Sequence, residues 1–307
     1  MFKDKTKFGI IGAGVVGTAL AVLLSRQGWQ CVGVKTRSRK SFERFYGYLP
    51  GPRMELDAMV TEADVILITT QDAEIEKVAE QLSVLGGHKI GQIWVHCSGS
   101  IGSRVMRKKP WLTIQYLSIH PLQAFAHVDN ALAILKGTHF GVEGNNRETE
   151  EKGREIVRLL GGIPHIIDPD QKTLYHAGAV VASNYMVSLA ELAVRLFAQA
   201  GIKEDALKTL MPLMKGALHN IENTGLPGAL TGPVARGDWQ VVQKHLDKIP
   251  VEMRPVYKNL GVLALEIGTR KKELRGERYD EDAYKKMTNL LGLKQEQLFS
   301  FKLEGTK

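Results

Sequence analysis

The residues with the clearest chemistry are the six of Gly12–Gly17, which form the pattern G-x-G-x-x-G. They follow an apolar run, Lys7–Ile11, and precede a helical pattern, which is the context a dinucleotide-binding loop requires. There the first glycine allows a tight turn, the second lets the backbone approach a pyrophosphate, and the third lets the helix pack closely. Free N–H groups of the helix then face the phosphates. The predicted cofactor-binding residues are therefore Gly12, Ala13, Gly14, Val15, Val16 and Gly17. The alternative is a glycine-rich turn in an α/β protein without a nucleotide.

The end of the second predicted strand indicates which dinucleotide is bound. NAD-binding proteins place an acidic residue there, about 20 residues after the loop, to accept the ribose hydroxyls. This chain has the basic segment Lys35–Lys40 instead, and the next carboxylate after this segment is Glu43. Hydroxyl and guanidinium groups bind a 2′-phosphate, which a carboxylate would repel. We therefore predict NADP(H) rather than NAD(H), held by Thr36, Arg37 and Ser38. A solvated basic loop is the alternative.

Polar residues follow three later strands, at the sheet edge where open α/β sheets bind ligands. Thr70 and Gln71 are predicted to contact the cofactor, and Ser98 to donate a hydrogen bond to a substrate. His120 is predicted to line the pocket, although a structural histidine fits the sequence equally well. Asp72 is expected to cap the following helix and Cys97 to be a buried small apolar residue.

A long apolar helix in the second half carries three polar residues, His176, Ser183 and Asn184. Residues advance about 100° each around a helix, so His176 and Ser183 lie about 20° apart and Asn184 about 80° away. Polar groups in such a helix need partners, which a ligand or a facing domain would supply. We favour catalysis over structural hydrogen bonding.

A second candidate segment is the glycine- and proline-rich run 228–239. Arg236 is predicted to clamp a substrate carboxylate and Thr231 to donate a hydrogen bond to it. A structural turn, with Asp238 capping the next helix, explains about half of these features.

The elements that position these residues form two patterns. Short apolar runs alternate with helical segments up to Ile167, which predicts a largely parallel sheet covered by helices on both faces. Only helical patterns follow. The fold class is therefore α/β, a Rossmann-type doubly wound parallel sheet followed by an all-α domain. We predict a nucleotide-binding domain over 1–168 and a helical substrate and dimerisation domain over 169–307.

Composition narrows the function classes. The chain has 307 residues and a formal charge of +8, but its basic residues are scattered, which disfavours nucleic acid and favours an anionic small molecule. Two cysteines exclude a disulfide framework and a cysteine-rich zinc site, so no metal is expected. The N-terminus lacks the pattern of a signal peptide, and no run of eighteen apolar residues occurs. We expect a cytoplasmic protein, without a membrane partner, that forms a homodimer through its apolar helices.

The motifs as a set resemble a family of Rossmann-like proteins with a C-terminal helical domain of unassigned function. The matching segments are Gly12–Gly17, His96–Gly99, His120–Gln123, His176–Asn184 and Leu230–Asp238. More distantly the layout is similar to ketopantoate reductases, pyrroline-5-carboxylate reductases and β-hydroxyacid dehydrogenases. The helical domain resembles the C-terminal domain of 6-phosphogluconate dehydrogenase.

The resemblance implies that His176 stands where ketopantoate reductases carry a catalytic lysine, with Asn184 as its partner. We therefore predict an NADPH-dependent oxidoreductase that reduces a small anionic oxo acid similar to ketopantoate. His176 donates the proton, Asn184 orients the carbonyl, and Ser183, Ser98 and His120 assist. The alternatives are reduction of an imine similar to pyrroline carboxylate, reduction of a deazaflavin, and sensing of NADP(H) without turnover.

Overall fold

The computed structural model describes residue 2 and residues 5–293, which divide by their contacts into two compact units. The first unit is Met1–Tyr185 and the second is Met186–Lys307. The dividing point lies within one long helix, whose start contacts the sheet of the first unit through Lys172 and Tyr175. The predicted boundary at 168/169 follows the change in secondary structure, whereas the division at 185/186 follows the contacts. The predicted domain boundary therefore stays a prediction.

The first unit is built on a seven-stranded sheet in the order β2-β1-β3-β4-β5-β6-β7. Neighbouring strands are parallel except β5 and β6, which are antiparallel, so the predicted Rossmann-type sheet is confirmed. Its apolar, β-branched runs are buried on both faces, as parallel strands covered by helices require. The strands are β1 (Lys7–Ile11), β2 (Gln30–Lys35), β3 (Val65–Ile68), β4 (Ile93–His96), β5 (Gln115–Pro121), β6 (His139–Gly144) and β7 (Ile163–Ile166).

Helices cover both faces of this sheet and enclose two apolar cores. One core includes Phe8 and Leu117, and the other includes Trp94 and Met59. The helices are α1 (Val15–Arg26), α2 (Arg39–Tyr48), α3 (Leu56–Glu62), α4 (Asp72–Ser83), α5 (Val128–Ile134) and α6 (Arg147–Leu159). Each connects successive strands, so the carboxyl ends of β1 to β5 meet at one edge of the sheet.

The long helix α7 (Lys172–Gln199) begins in the first unit, and the second unit is helical throughout its described residues. Its small core is formed by Val242, Leu246, Leu265, Met287 and Leu291. The helices are α8 (Ala206–Gly228), α9 (Pro233–Arg236), α10 (Trp239–Lys248), α11 (Arg254–Glu273) and α12 (Glu281–Leu291). The sequence predicts a kink at Pro212, but the non-helical residues of α8 are Gly225 and Leu226, because glycine readily adopts the φ of 61° found there.

Helix α7 is unusually apolar and exposed. The segment Pro169–Gln199 is long and apolar enough to cross a membrane by length and composition, and its most apolar window is 0% buried. The start of the helix is nevertheless part of a folded domain, because Lys172 is 1% exposed against the sheet. Any explanation of the exposed apolar surface of α7 must therefore allow the first unit to remain folded.

Candidate functional site

The glycine-rich loop joins β1 to α1 in the predicted manner. Gly12 has a φ of +99°, and its N–H donates to the Lys35 carbonyl at 2.9 Å. Helix α1 begins at Val15 after Gly14, and among the described residues no side chain caps its first N–H groups. No acidic residue lies in its first turn either. The helix therefore presents free N–H groups and a positive dipole end at the sheet edge.

The three glycines differ in what surrounds them. A Cβ on Gly17 would overlap the Thr69 hydroxyl and approach the Gly12 carbonyl to 2.5 Å, so this glycine permits close packing. A Cβ on Gly14 would meet no described heavy atom within 4 Å. Gly14 is therefore the point at which a ligand can approach the backbone. The Thr69 hydroxyl, which sequence analysis did not single out, fixes the loop by donating to the Gly12 carbonyl at 2.5 Å.

The end of β2 is basic, as expected, but its groups are not equally available. The Thr36 hydroxyl donates to the Ser38 carbonyl at 3.0 Å, and the Ser38 side chain caps α2 by accepting from Ser41 N–H at 3.1 Å. Arg37 is exposed and forms no ion pair within the part of the chain that the structure describes. Arg37, the only cation among the three predicted residues, is therefore also the most available of them.

Sequence analysis missed two further charged groups near the loop. Arg44 on α2 reaches back and donates from Nη2 to the Ala13 carbonyl at 2.6 Å. Glu55 pairs with Lys35 at the end of β2, so a carboxylate does lie near this position. Neither was visible from the chain order alone, because 31 residues separate Arg44 from Ala13 and 20 separate Glu55 from Lys35.

Thr70 and Gln71 lie at the end of β3, at the same sheet edge as the loop. The Thr70 Oγ1 atom is buried and has no hydrogen-bond partner among residues 2 and 5–293. A buried polar atom without a partner is unfavourable, and so it suits contact with a ligand. Gln71 is exposed and occupies the N-cap position of α4.

The prediction that Asp72 caps α4 is wrong. Asp72 is the first helical residue, and its carboxylate accepts from the Ser98 hydroxyl at 2.7 Å and the Ser100 hydroxyl at 3.2 Å. Ser98 also accepts from the N–H groups of Ser100 and Ile101 at 3.2 and 3.1 Å. The Ser98 hydroxyl thus holds the turn after β4, and its predicted contact with substrate remains a prediction. Burial raises the pKa of the Cys97 thiol to about 12, which suits an inert thiol.

Two of the predicted histidines meet where β4 and β5 end. The rings of His120 and His176 lie 5.7 Å apart in an edge-to-face arrangement. Both press against Gly99, where a Cβ would lie 2.5 Å from His176 Nδ1 and 2.9 Å from His120 Nε2. Tyr175, which sequence analysis missed, bonds His120 Nδ1 through its hydroxyl at 2.9 Å. The structure therefore brings together imidazoles from β5 and α7 at the predicted sheet edge.

Burial controls the charge of His120. Removal from water, with the positive charge of Lys172 nearby, lowers the pKa of His120 to about 4. The same two causes lower the pKa of the fully buried His96 to about 4. Both imidazoles are therefore neutral at pH 7.

A buried amine, Lys172, lies at the start of α7 and was missed by sequence analysis. It is 1% exposed and donates to the Ser118 hydroxyl at 2.7 Å. Burial lowers the pKa of Lys172 to about 8, although the Glu143 carboxylate opposes this shift. Glu143 is itself buried and accepts from Ser103, at 2.5 Å from its N–H and 2.7 Å from its hydroxyl. The sequence signal that could have identified Lys172 is a charged residue at the start of an otherwise apolar helix.

Ser183 and Asn184 lie about two turns beyond His176 on α7. The Ser183 hydroxyl is 2.7 Å from the Ala179 carbonyl and 2.8 Å from Asn184 Oδ1, and both residues are exposed. Ser183 is thus engaged with its own helix. Both of these Ser183 contacts stay within α7, about two turns from His176.

In the second unit, Arg236 donates from Nε to the Asp238 carboxylate at 2.8 Å. Asp238 occupies the predicted N-cap position of α10, but within the described part of the chain its side chain makes no capping hydrogen bond. The ion pair with Arg236 takes its place. Thr231 is exposed in the turn before α9. Within residues 2 and 5–293, three or more His, Cys, Asp or Glu side chains nowhere form a group that could hold a metal ion.

Comparisons with known proteins agree with this architecture. Residues 1–121 match the model of a Rossmann-like domain, and residues 138–263 match a domain of unknown function, DUF2520. No curated protein matches the chain in sequence.

Among solved structures, protein TM1727 from Thermotoga maritima is 28% identical, with a TM-score of 0.69 over 86% of this chain and 99% of that chain. The 1-pyrroline-5-carboxylate reductase of Streptococcus pyogenes is 16% identical, with a TM-score of 0.55 over 95% and 100%. An imine reductase from Myxococcus stipitatus, in complex with NAD+, is also 16% identical, with a TM-score of 0.54 over 94% and 99%. This chain therefore joins a Rossmann-like N-terminal domain to a C-terminal domain of the DUF2520 family.

Proposed function

We propose that this protein is an NADPH-dependent oxidoreductase that reduces the carbonyl group of a small anionic oxo acid. One observation carries the proposal: a glycine loop built for a dinucleotide and a pair of imidazoles occupy the same edge of one sheet. Ligands of open α/β sheets bind at this edge. The reductases among the structural neighbours share the fold and support an oxidoreductase.

The residues of the loop fit the cofactor. The open approach to Gly14, the uncapped start of α1 and the buried hydroxyl of Thr70 match a pyrophosphate and the sugar next to it. The Arg44 guanidinium, 2.6 Å from the Ala13 carbonyl, adds positive charge beside the loop. These residues, with Thr36, Arg37, Ser38 and Gln71, are the proposed binding set.

The preference for NADP(H) rests on Arg37. It is exposed at the end of β2, whereas the nearby carboxylates Glu43 and Glu55 are paired with Arg39 and Lys35. A free guanidinium binds a phosphate bidentately, and the paired carboxylates repel it less than free ones would. Calorimetric titration of the protein with NADPH and NADH tests the preference. Tighter binding of NADH would contradict it.

The chemistry requires a hydride and a proton. A bound reduced nicotinamide supplies the hydride, which carries two electrons. As the carbonyl carbon gains this hydride, the π electron pair of the carbonyl moves onto oxygen, and the oxygen takes one proton from His176. The carbonyl thus becomes an alcohol by gaining a hydride and a proton, and His176 loses the proton that it donates. His120 and Asn184 orient the carbonyl oxygen by hydrogen bonds.

Within the second unit, Arg236 and Thr231 are proposed as a pair that binds a carboxylate. Arg236 uses Nε for Asp238, which leaves its two Nη groups to face a carboxylate end-on. The side chain of Arg236 is 62% exposed and therefore accessible.

The direct test is oxidation of NADPH with ketopantoate and related 2-oxo acids. With a verified substrate, His176→Ala should lower kcat by about 100-fold or more, because general acid catalysis contributes at least this much. An unchanged kcat would exclude His176 as the donor.

A second candidate reaction is reduction of a cyclic imine, which the names of two structural neighbours favour. An imine nitrogen can enter the site already protonated, so its reduction depends less on a proton donor. NADPH oxidation with pyrroline carboxylate that is insensitive to His176→Ala would favour this reaction over reduction of an oxo acid. NADPH binding without turnover of either class would favour a sensor.

The partner proposed for the helical part is a second copy of this chain. Leu174, Val181, Tyr185 and Leu189 form an apolar stripe on α7, within about 80° of one another, and are 71%, 57%, 56% and 38% exposed. His176 lies on the opposite face of the helix, about 160° from Leu174. Light scattering should show a dimer that Val181→Lys converts to monomer. A monomer that binds lipid vesicles would instead indicate a membrane partner.

A further inference from the structure

His120 is enclosed on several sides by groups that control its proton. Tyr175, His176 and Lys172 face it from α7, Asp72 acts on it from α4, and Gly99 contacts its ring. Its ring lies edge-to-face with both Tyr175 and His176, at 5.6 and 5.7 Å between centroids. The orientation of the ring is therefore fixed, and its two nitrogens have different surroundings.

The Nδ1 atom of His120 faces the Tyr175 hydroxyl at 2.9 Å. That hydroxyl lies against the Gly141 backbone, where a Cβ would be 2.5 Å from its oxygen. Burial raises the pKa of Tyr175 to about 12, against the opposing effect of a backbone hydrogen bond from Gly141. The hydroxyl therefore keeps its proton at neutral pH. A protonated hydroxyl at this distance can donate to His120 Nδ1.

The Nε2 atom of His120 faces the other way, towards Gly99 and His176. Because burial lowers the pKa of His120 to about 4, only one of its nitrogens carries a proton at neutral pH. If Nδ1 accepts from Tyr175, that proton is on Nε2. His176 Nδ1, which lies on the same side of Gly99, is buried and has no hydrogen-bond partner among the described residues.

We propose that Tyr175 is a positioning residue that holds His120 as a neutral Nε2–H tautomer, so that His120 only donates a hydrogen bond and His176 alone transfers the proton. This inference rests on the proposed function for its consequence, but its structural part does not. It assigns different roles to His120 and His176, two imidazoles that the sequence could not distinguish. The carbonyl oxygen would accept from His120 throughout the reaction and take its proton from His176.

The first test is a long-range 1H–15N spectrum of the full chain labelled at histidine, recorded without cofactor. Comparison with His120→Asn assigns the His120 signals. We expect the Nε2–H tautomer for His120 and no protonation of its ring between about pH 8 and pH 5.5, well above its lowered pKa. A proton on Nδ1, or titration within this range, would overturn the inference.

The second test replaces Tyr175 by Phe, which removes the hydroxyl and keeps the ring. Because the lost hydrogen bond stabilised the neutral imidazole, the pKa of His120 should rise and its Nδ1 signal should shift. The control is Tyr116→Phe, a buried tyrosine on β5 whose hydroxyl has no hydrogen-bond partner within residues 2 and 5–293. A Tyr175→Phe spectrum identical to that of the control would overturn the inference.

With a verified substrate, Tyr175→Phe should lower kcat by about tenfold, the loss of one well-oriented hydrogen bond, with little change in KM. His176→Ala should lower kcat more than His120→Asn does, because only His176 transfers the proton. The reverse result would overturn the division of roles. If the spectra behave as expected but no substrate is reduced, the proposed function fails and the assigned tautomer stands. If Tyr175→Phe does not fold, the spectrum of the unaltered protein decides the matter.

Discussion

The glycine loop and the polar cluster under α7 lie at one edge of the same sheet, but they are built in opposite ways. We define the polar cluster as His96, Ser118, His120, Glu143, Lys172, Tyr175 and His176. The loop consists of consecutive residues and presents backbone N–H groups that are still free. The cluster draws side chains from β4, β5, β6 and α7, and two pairs of them already bond one another, Tyr175 with His120 and Lys172 with Ser118.

The difference shows how each region accommodates polar groups within a folded protein. The loop leaves its donors at the end of a helix, where a ligand can satisfy them without disturbing the core. The cluster instead holds a buried amine and a buried carboxylate, and such groups shift their pKa values or require partners. Substitutions should therefore affect ligand affinity in the loop, and charge state or turnover in the cluster.

The largest effect should be the dependence of stability on the charge of Lys172. In the unfolded chain its pKa is 10.5, whereas burial lowers it to about 8 in the folded chain. Between these values the unfolded chain binds more protons, so the free energy of unfolding rises with pH. The gain from this group is on the order of 3 kcal/mol.

Urea denaturation of the wild type and Lys172→Met should show this change. Relative to the variant, the wild type should become more stable between about pH 7 and pH 10.5. Lys208→Met is the control, because Lys208 is 81% exposed and its removal should leave no such trend. A difference between wild type and Lys172→Met that does not vary with pH would show that burial does not lower the pKa of this amine.

The next effect should come from Gly14→Val in the loop. The added side chain enters open space, so the free energy of unfolding should change by only about 1 kcal/mol. It should obstruct the phosphates and weaken NADPH binding by about 100-fold, measured by calorimetry. Gly17→Ala is the counterpart, since its Cβ overlaps Thr69 and should reduce stability. Equal affinity of Gly14→Val and wild type would remove the assigned role of the loop.

Gly99→Ala, beside the polar cluster, should have the opposite effect, because it should lower turnover and leave NADPH affinity nearly unchanged. Its Cβ would lie within 2.9 Å of both imidazoles and must displace them. We expect a fall in kcat of about 30-fold from the misplaced groups, while NADPH affinity stays within about twofold. Steady-state kinetics and calorimetry separate the two quantities. A loss of affinity equal to the loss of kcat would mean that the two regions act as one.

The smallest effect should be that of Arg37→Ala at the end of β2. Removing one charged hydrogen-bond donor to the 2′-phosphate should reduce the preference for NADPH over NADH by about tenfold. Arg39→Ala is the matched control, because Arg39 is paired with Glu43. If both variants change the preference equally, a general basic field rather than Arg37 selects the cofactor.

Sequence reasoning succeeded where the signal is local. The order of strands and helices in the first unit and the context of Gly12–Gly17 follow from short apolar runs and adjacent glycines, and the structure has both. These features depend on neighbours in the chain, so they are legible without a structure.

Sequence reasoning failed for side chains whose partners lie far away in the sequence. Lys172 meets Ser118 across 54 residues, and Tyr175 meets His120 across 55. Asp72 was expected to cap its own helix but binds Ser98, 26 residues away. Nothing in the spacing of these residues distinguishes a solvated side chain from a buried one, because burial is decided by the packing of α7 on the sheet.

The apolar stripe on α7 has a consequence for how this helix can change during evolution. Leu174 and Val181 differ by seven residues, nearly two full turns, while His176 projects to the other side. Inserting a single residue between them would rotate the rest of the helix by about 100° and divide the apolar stripe into two parts that no longer align. Inserting seven would restore the alignment to within about 20°. Length variation among homologues should therefore come in heptads at this point, with shorter indels confined to the ends of the helix.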